Sequence, residues 1–176
     1  MKEKDAHLLI VDDEESIRSA LRRVLRREYK LSFAASGKEG LEVLQRERPD
    51  VIISDHLMPE MTGLEFLKKA RFLYPDVGRV VLTGQAEMQM VIAAINEGAV
   101  FRFLTKPWDD DELKLTVYLA VEHVRAQREE AEKAAVTSDV GVQRQQEEMH
   151  KLEQQHPGLT HLERDADGAI FLSEDD

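Results

Sequence analysis

The sequence predicts an α/β fold: a five-stranded parallel sheet covered by helices on both faces. Three observations carry this expectation. Short apolar runs alternate with helical patterns through residues 6–125, the order that builds βαβ units with right-handed crossovers. The runs Leu8-Leu9-Ile10-Val11 and Val51-Ile52-Ile53 show no polar alternation, the habit of strands buried on both faces of a parallel sheet. Several runs also end on a polar group: Val11 leads into Asp12-Asp13, Ser54 into Asp55, Leu82 into Thr83, and Thr105 into Lys106. Open parallel sheets place their ligands at that edge.

Taken in order, the first strand is His7–Val11. A helix over roughly 15–28 follows, with Ile17, Ala20, Leu21, Val24 and Leu25 at helical spacing. Arg18, Arg22, Arg23, Arg26 and Arg27 lie on its other faces, either as a solvated flank or as a docking face for an acidic partner. A second strand near Leu31–Ala34 leads through Ser36-Gly37 into a helix packed by Leu41, Val43 and Leu44. Pro49-Asp50 precedes the central strand, which ends at Asp55 before His56-Leu57-Met58-Pro59 forces a turn. After Gly63 a helix uses Leu64, Leu67, Ala70 and Tyr74 and stops at Pro75. The fourth strand ends at Thr83-Gly84. Met88, Val91, Ile92 and Ile95 mark the next helical face, with Gly98 past its end. Phe101–Thr105 is the fifth strand, and Asp109 to Asp111 cap the fifth helix. The expected strand order is 2-1-3-4-5, the flavodoxin-like arrangement.

The fifth helix carries two apolar stripes. Leu113, Val117, Ala120, Val121 and Val124 form a core-facing one. Leu115, Leu119 and Ala126 lie on roughly the opposite side, either as ordinary exposed residues or as an interface with a second subunit or the tail. Thr137-Ser138-Asp139 reads as a break, followed by a polar helix near 142–155 and a hairpin, Leu159–Arg164 with Ala169–Leu172, turning at Gly168. The expected organisation is a domain over 1–125, a helical extension over 126–158 and a hairpin tail over 159–176.

Composition narrows the function. The net charge is −11, and residues 137–176 hold ten acids against three bases, so the acidity belongs mainly to the tail. A negative field argues against a nucleic-acid footprint, which needs clustered Lys and Arg. No apolar stretch is long enough to span a membrane, the start lacks the apolar core of a secretory signal, and the chain has no cysteine. A cytoplasmic location is therefore expected. The six histidines show no metal-ligand spacing, and Asp165-x-Asp167-Gly168 lacks the later ligands of a calcium loop.

The strand-end residues suit one chemistry, acceptance of a phosphoryl group by Asp55. A carboxylate attacking a phosphorus already ringed by negative oxygens needs local neutralisation. Asp12, Asp13 and Asp55 would cage a hard divalent cation, Mg²⁺ (or Mn²⁺), and without one they would repel one another. Lys106 offers a point charge to a phosphoryl oxygen, and Thr83 a hydroxyl donor. Any one of these residues alone reads equally well as a cap, a turn or a solvated charge.

Together, Asp12-Asp13, the Asp55-x-x-Met58-Pro59-x-x-x-Gly63 motif, Thr83-Gly84 and Phe103-x-x-Lys106-Pro107 resemble the receiver domain of bacterial two-component response regulators, over residues 6–125. The resemblance implies that Asp55 is phosphorylated by a histidine kinase or histidine phosphotransfer protein. It implies that the backbone carbonyl of Leu57 joins Asp12, Asp13 and Asp55 around the metal. It makes Thr83 and Phe103 a switch pair, although Phe103 also reads as an ordinary strand aromatic. His56 either tunes the phosphoryl lifetime or points away from the site. Phe101–Trp108 is similar to receivers often joined to cyclic-dinucleotide phosphodiesterase domains. No such domain and no helix-turn-helix is recognisable, so the expected output is a homodimer or a protein target engaged through the fifth helix and tail, without DNA binding. Two rivals stand beside this regulatory, non-enzymatic reading. One is a constitutive scaffold with a vestigial site, and the other a phosphatase with an aspartyl intermediate, which needs an acid where Leu57 stands.

Overall fold

The computed structural model describes residues 6–155 together with Glu163–Arg164 and Ile170–Phe171. The chain divides into two compact units, Met1–Glu129 and Glu130–Asp176.

In the first unit the strands are β1 (His7–Val11), β2 (Lys30–Ala34), β3 (Val51–Asp55), β4 (Gly78–Thr83) and β5 (Arg102–Thr105). The helices are α1 (Glu15–Leu25), α2 (Gly37–Glu47), α3 (Gly63–Leu73), α4 (Met88–Asn96) and the first part of α5 (Asp110–Gln155). A short 3-10 turn, Gln85–Glu87, leads into α4. The five strands are parallel in the order β2-β1-β3-β4-β5, as the sequence predicts. The central strands β1 and β3 are buried along their whole length, and their successive residues point to opposite faces of the sheet. Leu8, Ile10, Ile53, Val80 and Leu82 pack on one face against Leu21 and Leu25 of α1 and the Leu113–Val124 stripe of α5. Leu9, Val11, Ile52 and Val81 pack on the other against α2, α3 and α4.

Two helical faces keep much of the expected set, Leu67 and Ala70 in α3 and Val91 in α4, and add a buried residue outside it. In α3 the fully buried Phe66 takes the core position and Leu64 sits at its margin. In α4 the buried residues are Val91 and Ala94, while Ile92 is 46% exposed. Here the size of the side chain is a poor guide. Ala94, with its short side chain, lies on the face turned to the sheet, and Ile92 is left at the surface.

Helix ends follow local chemistry. Ser36 caps α2 by accepting the Glu39 N–H, and Thr62 with Glu65 forms a reciprocal capping box on α3. Thr62→Ala should cost about 1 kcal/mol, read as a lower urea midpoint with an unchanged slope. Gly98 lies just past α4 at φ 72°, a left-handed position that suits glycine.

The fifth helix departs most from expectation. It runs unbroken from Asp110 to Gln155, through Thr137-Ser138-Asp139. Without proline those residues each cost only a few tenths of a kcal/mol in a helix, too little to interrupt the backbone ladder. In the second unit, β6 (Glu163–Arg164) pairs antiparallel with β7 (Ile170–Phe171), within the span expected to form a hairpin. Its expected turn, with Gly168, lies outside the described residues.

Candidate functional site

The site lies at the carboxyl ends of β1, β3, β4 and β5. Strand β1 ends by burying Asp12, and the next residue, Asp13, is exposed. Strand β3 ends on the buried Asp55. Lys106, just beyond β5, is tied to β4 by its backbone N–H, which donates to the Thr83 carbonyl at 2.8 Å. Its Nζ lies 2.6 Å from Asp55 Oδ1 and 3.5 Å from Asp12 Oδ2. Carboxylate oxygens of Asp12, Asp13 and Asp55 all lie within 4.8 Å of one another. Sequence positions far apart thus converge on one spot.

The loop after β3 is held by Gly63, whose N–H donates to the His56 carbonyl at 2.7 Å. A Cβ at this position would stand 1.8 Å from the Asp55 carbonyl oxygen, so only glycine permits this approach.

Burial pushes the Asp12 carboxyl above the usual aspartate range. A hydrogen bond from the Glu14 amide opposes that, the charge of Asp55 adds to the rise, Lys106 opposes it, and Asp13 adds a little more. Burial also works against the Lys106 ammonium, but its hydrogen bond to Asp55 and the charges of Asp12 and Asp55 outweigh this and hold its pKa above the ordinary lysine value. An acid whose folded pKa is raised favours the fold while protonated, and that advantage is lost as pH rises through the folded pKa. Metal-free protein should therefore be stabilised at neutral pH by Asp12→Asn, with the gain shrinking in acid. Thermal unfolding across pH checks this.

The donor set fits a hard divalent cation. Three carboxylates meet at one point, and Asp12 Oδ2 is buried without a hydrogen-bond partner, a lone pair that a cation would satisfy. The oxygen-only set suits Mg²⁺ or Mn²⁺ rather than a thiolate- or imidazole-loving metal.

Thr83 is buried near the cluster, with its hydroxyl donating to the Gly84 carbonyl at 3.1 Å. Phe103 is 36% exposed on β5, and Leu57 is 58% exposed beyond Asp55. His56 is buried, its Nδ1 has no hydrogen-bond partner, and its backbone N–H donates to the Leu82 carbonyl. Leu115, 57% exposed, and Leu119 share with Phe103 the wall of a groove of about 470 Å³. Ala126 is exposed but does not line that groove. Arg18, which the sequence places on a solvated or docking flank, reaches the site instead: its guanidinium donates to the Asp12 carbonyl at 2.5 Å. Its position six residues after Asp12, one turn into a helix, was the available signal.

The model of the response regulator receiver domain matches residues 8–118. The hydrogenase transcriptional regulatory protein HoxA of Cupriavidus necator is 39% identical over 122 residues, 69% of this chain and 25% of that protein. The chain thus spans about a quarter of that relative's length. Sporulation initiation phosphotransferase F of Bacillus subtilis is 35% identical over 108 residues, 61% of this chain and 86% of that protein. Among solved structures, the signal receiver domain of an HD domain-containing protein from Pseudomonas fluorescens Pf-5 superposes with a TM-score of 0.68 at 36% identity, over 72% of this chain and 93% of the other. The match to the receiver model covers more than half of the chain and includes all four strand-end positions, so the chain belongs to the response regulator receiver family.

Proposed function

We propose that Asp55 of this receiver accepts a phosphoryl group and that the change is passed through Thr83 and Phe103 to the face bearing Leu115 and Leu119. Receiver domains are the regulatory phosphoacceptors of two-component phosphorelays, phosphorylated by histidine kinases or phosphotransfer proteins, and typically bind Mg²⁺ at an acidic pocket. The observation that supports the assignment to Asp55 is its buried carboxylate, 2.6 Å from the Lys106 ammonium and within 4.8 Å of the other two acids.

In this reading an Asp55 oxygen attacks the phosphorus of a phosphorylated imidazole on the partner. The O–P bond forms as the P–N bond breaks, and the freed nitrogen takes a proton from solvent. The product is an acyl phosphate. Asp12, Asp13, Asp55 and the Leu57 carbonyl would hold Mg²⁺, which supplies charge neutralisation at the phosphoryl oxygens. Lys106 pairs with a phosphoryl oxygen, and the Thr83 hydroxyl leaves the Gly84 carbonyl to donate to another. That movement opens room for Phe103 to turn inward. A vestigial scaffold is disfavoured because no acid, hydroxyl or ammonium of the set is missing.

HoxA is named a transcriptional regulator, and that name describes a protein about four times as long as the matched stretch. The output proposed for this chain is association through α5, with a second copy or a protein target.

Incubation with phosphoramidate and Mg²⁺, followed by mass spectrometry of trapped peptides, tests the phosphoryl step. Label should appear at Asp55 and vanish with a chelator; label elsewhere, or indifference to the chelator, would sink the assignment. Trp108, the single tryptophan, packs against the core two residues beyond Lys106, and its fluorescence should report loading. For the output face, Leu115→Glu with Leu119→Glu should shift the mass in solution of the phosphorylated protein toward the monomer, read by light scattering. Unchanged mass would remove α5 as the association face.

A further inference from the structure

A polar cluster lies at the opposite end of the sheet from Asp55, and nothing in the phosphoryl chemistry uses it. Asp50 stands at the entrance of β3, fixed on several sides. Its N–H donates to the His7 carbonyl at 2.8 Å, its carbonyl accepts the Gly78 N–H at 2.8 Å, and its Oδ2 accepts the His7 N–H at 2.8 Å. Asp50 is thus bolted to the first residues of β1 and β4. Its free oxygen, Oδ1, receives Arg128 Nη1 of α5 at 2.5 Å, and Arg128 Nη2 lies 3.5 Å from Asp76 Oδ2.

The place of Arg128 on α5 gives this pair its meaning. The stripe that packs α5 on the sheet ends at Val124, one turn earlier. Ala126, Gln127 and residues 129–136 are exposed, although the helix continues. The turn of α5 beyond the apolar core is therefore held to the sheet by charge rather than by burial. We propose that Asp50 and Asp76 form an electrostatic clasp on Arg128, which holds the turn of α5 beyond the apolar core to the receiver sheet and makes that hold responsive to ionic strength. An ordinary surface pair contributes little, because holding two free side chains together costs entropy and salt screens the charge. Here one partner is already immobilised by backbone hydrogen bonds, and the arginine is charge-assisted on two carboxylates.

Backbone hydrogen exchange on the full chain, resolved over α5, tests the clasp. Arg128→Gln removes the charge and keeps a good helix former, so helix propensity stays nearly constant. It should raise exchange over 124–129 about fivefold at low salt, the local-opening equivalent of one lost interaction. Asp50→Asn keeps an acceptor for the His7 N–H and leaves Asp76 facing Arg128, so it should give a smaller rise. The double variant should exchange no faster than Arg128→Gln alone, which already removes both ion pairs. High salt should bring the wild type toward Arg128→Gln and leave Arg128→Gln nearly unchanged. Exchange in Arg128→Gln equal to that of the wild type at every salt concentration would overturn the proposal, as would strictly additive effects in the double variant. Both readouts are independent of whether Asp55 is phosphorylated.

Discussion

Asp55→Asn is expected to abolish phosphoryl incorporation while leaving the receiver folded. The amide oxygen is a far weaker nucleophile than the carboxylate, and the other two acids are badly placed to substitute: Asp12 is fully buried, and Asp13 is directed to solvent. The substitution also removes one of the three carboxylates that would hold the cation, so Mg²⁺ affinity should drop with the labelling. Stability is pulled two ways. Lys106 loses its partner at 2.6 Å, but Asp12 loses a neighbouring charge that raises its pKa. In metal-free buffer these effects oppose each other, and the melting temperature should change little. Intact-protein mass spectrometry after incubation with phosphoramidate is the check. Stoichiometric label on the variant would mean that another residue is the acceptor.

Gly63→Ala should be nearly as damaging to phosphorylation and far worse for the fold. The added Cβ would meet the Asp55 carbonyl oxygen at 1.8 Å, the Asp55 carbonyl carbon at 2.8 Å and His56 Cα at 2.9 Å. All three are backbone atoms, so no side-chain rotation relieves the overlap. The N–H of Gly63 is held on the His56 carbonyl at 2.7 Å, which resists a retreat of the loop. Overpacking in a tight core costs about 1–3 kcal/mol and occasionally more, and the upper end applies here. If the loop yields instead, Asp55 moves with it, and a misplacement of about 1 Å can cost about 100-fold in rate. Urea unfolding and the initial rate of labelling separate the two outcomes. A variant with wild-type stability and rate would show that Gly63 does not position Asp55.

The sheet was legible because its strands are continuous apolar runs closed by turn residues, and the site because the polar groups ending those runs must share one edge of a parallel sheet. Asp12 and Asp13 show where that reading runs out. The two are identical in sequence, yet one is buried with an orphaned oxygen and the other is exposed, a difference set by which way a strand end faces. Phe66 goes unmarked in the sequence and Ile92 reads as a core residue because one turn of helix places several apolar residues near the core and only packing selects among them. The bond from Arg128 to Asp50 spans 78 positions and has no local signature. The unbroken course of α5 was hidden by residues that favour turns only weakly.

Within the receiver unit, the part of α5 from Asp110 to Glu129 conserves angular phase. Each residue inserted or deleted there turns the helix residues after it in that unit by about 100° about the helix axis and shifts them about 1.5 Å along it. Two inserted residues nearly invert the side on which those residues emerge, whereas seven return them to within about 20° of their original bearing. The bearing of Ala126 relative to Leu115 and Leu119 thus depends on length in a periodic manner, tolerant of heptad steps and intolerant of the steps between.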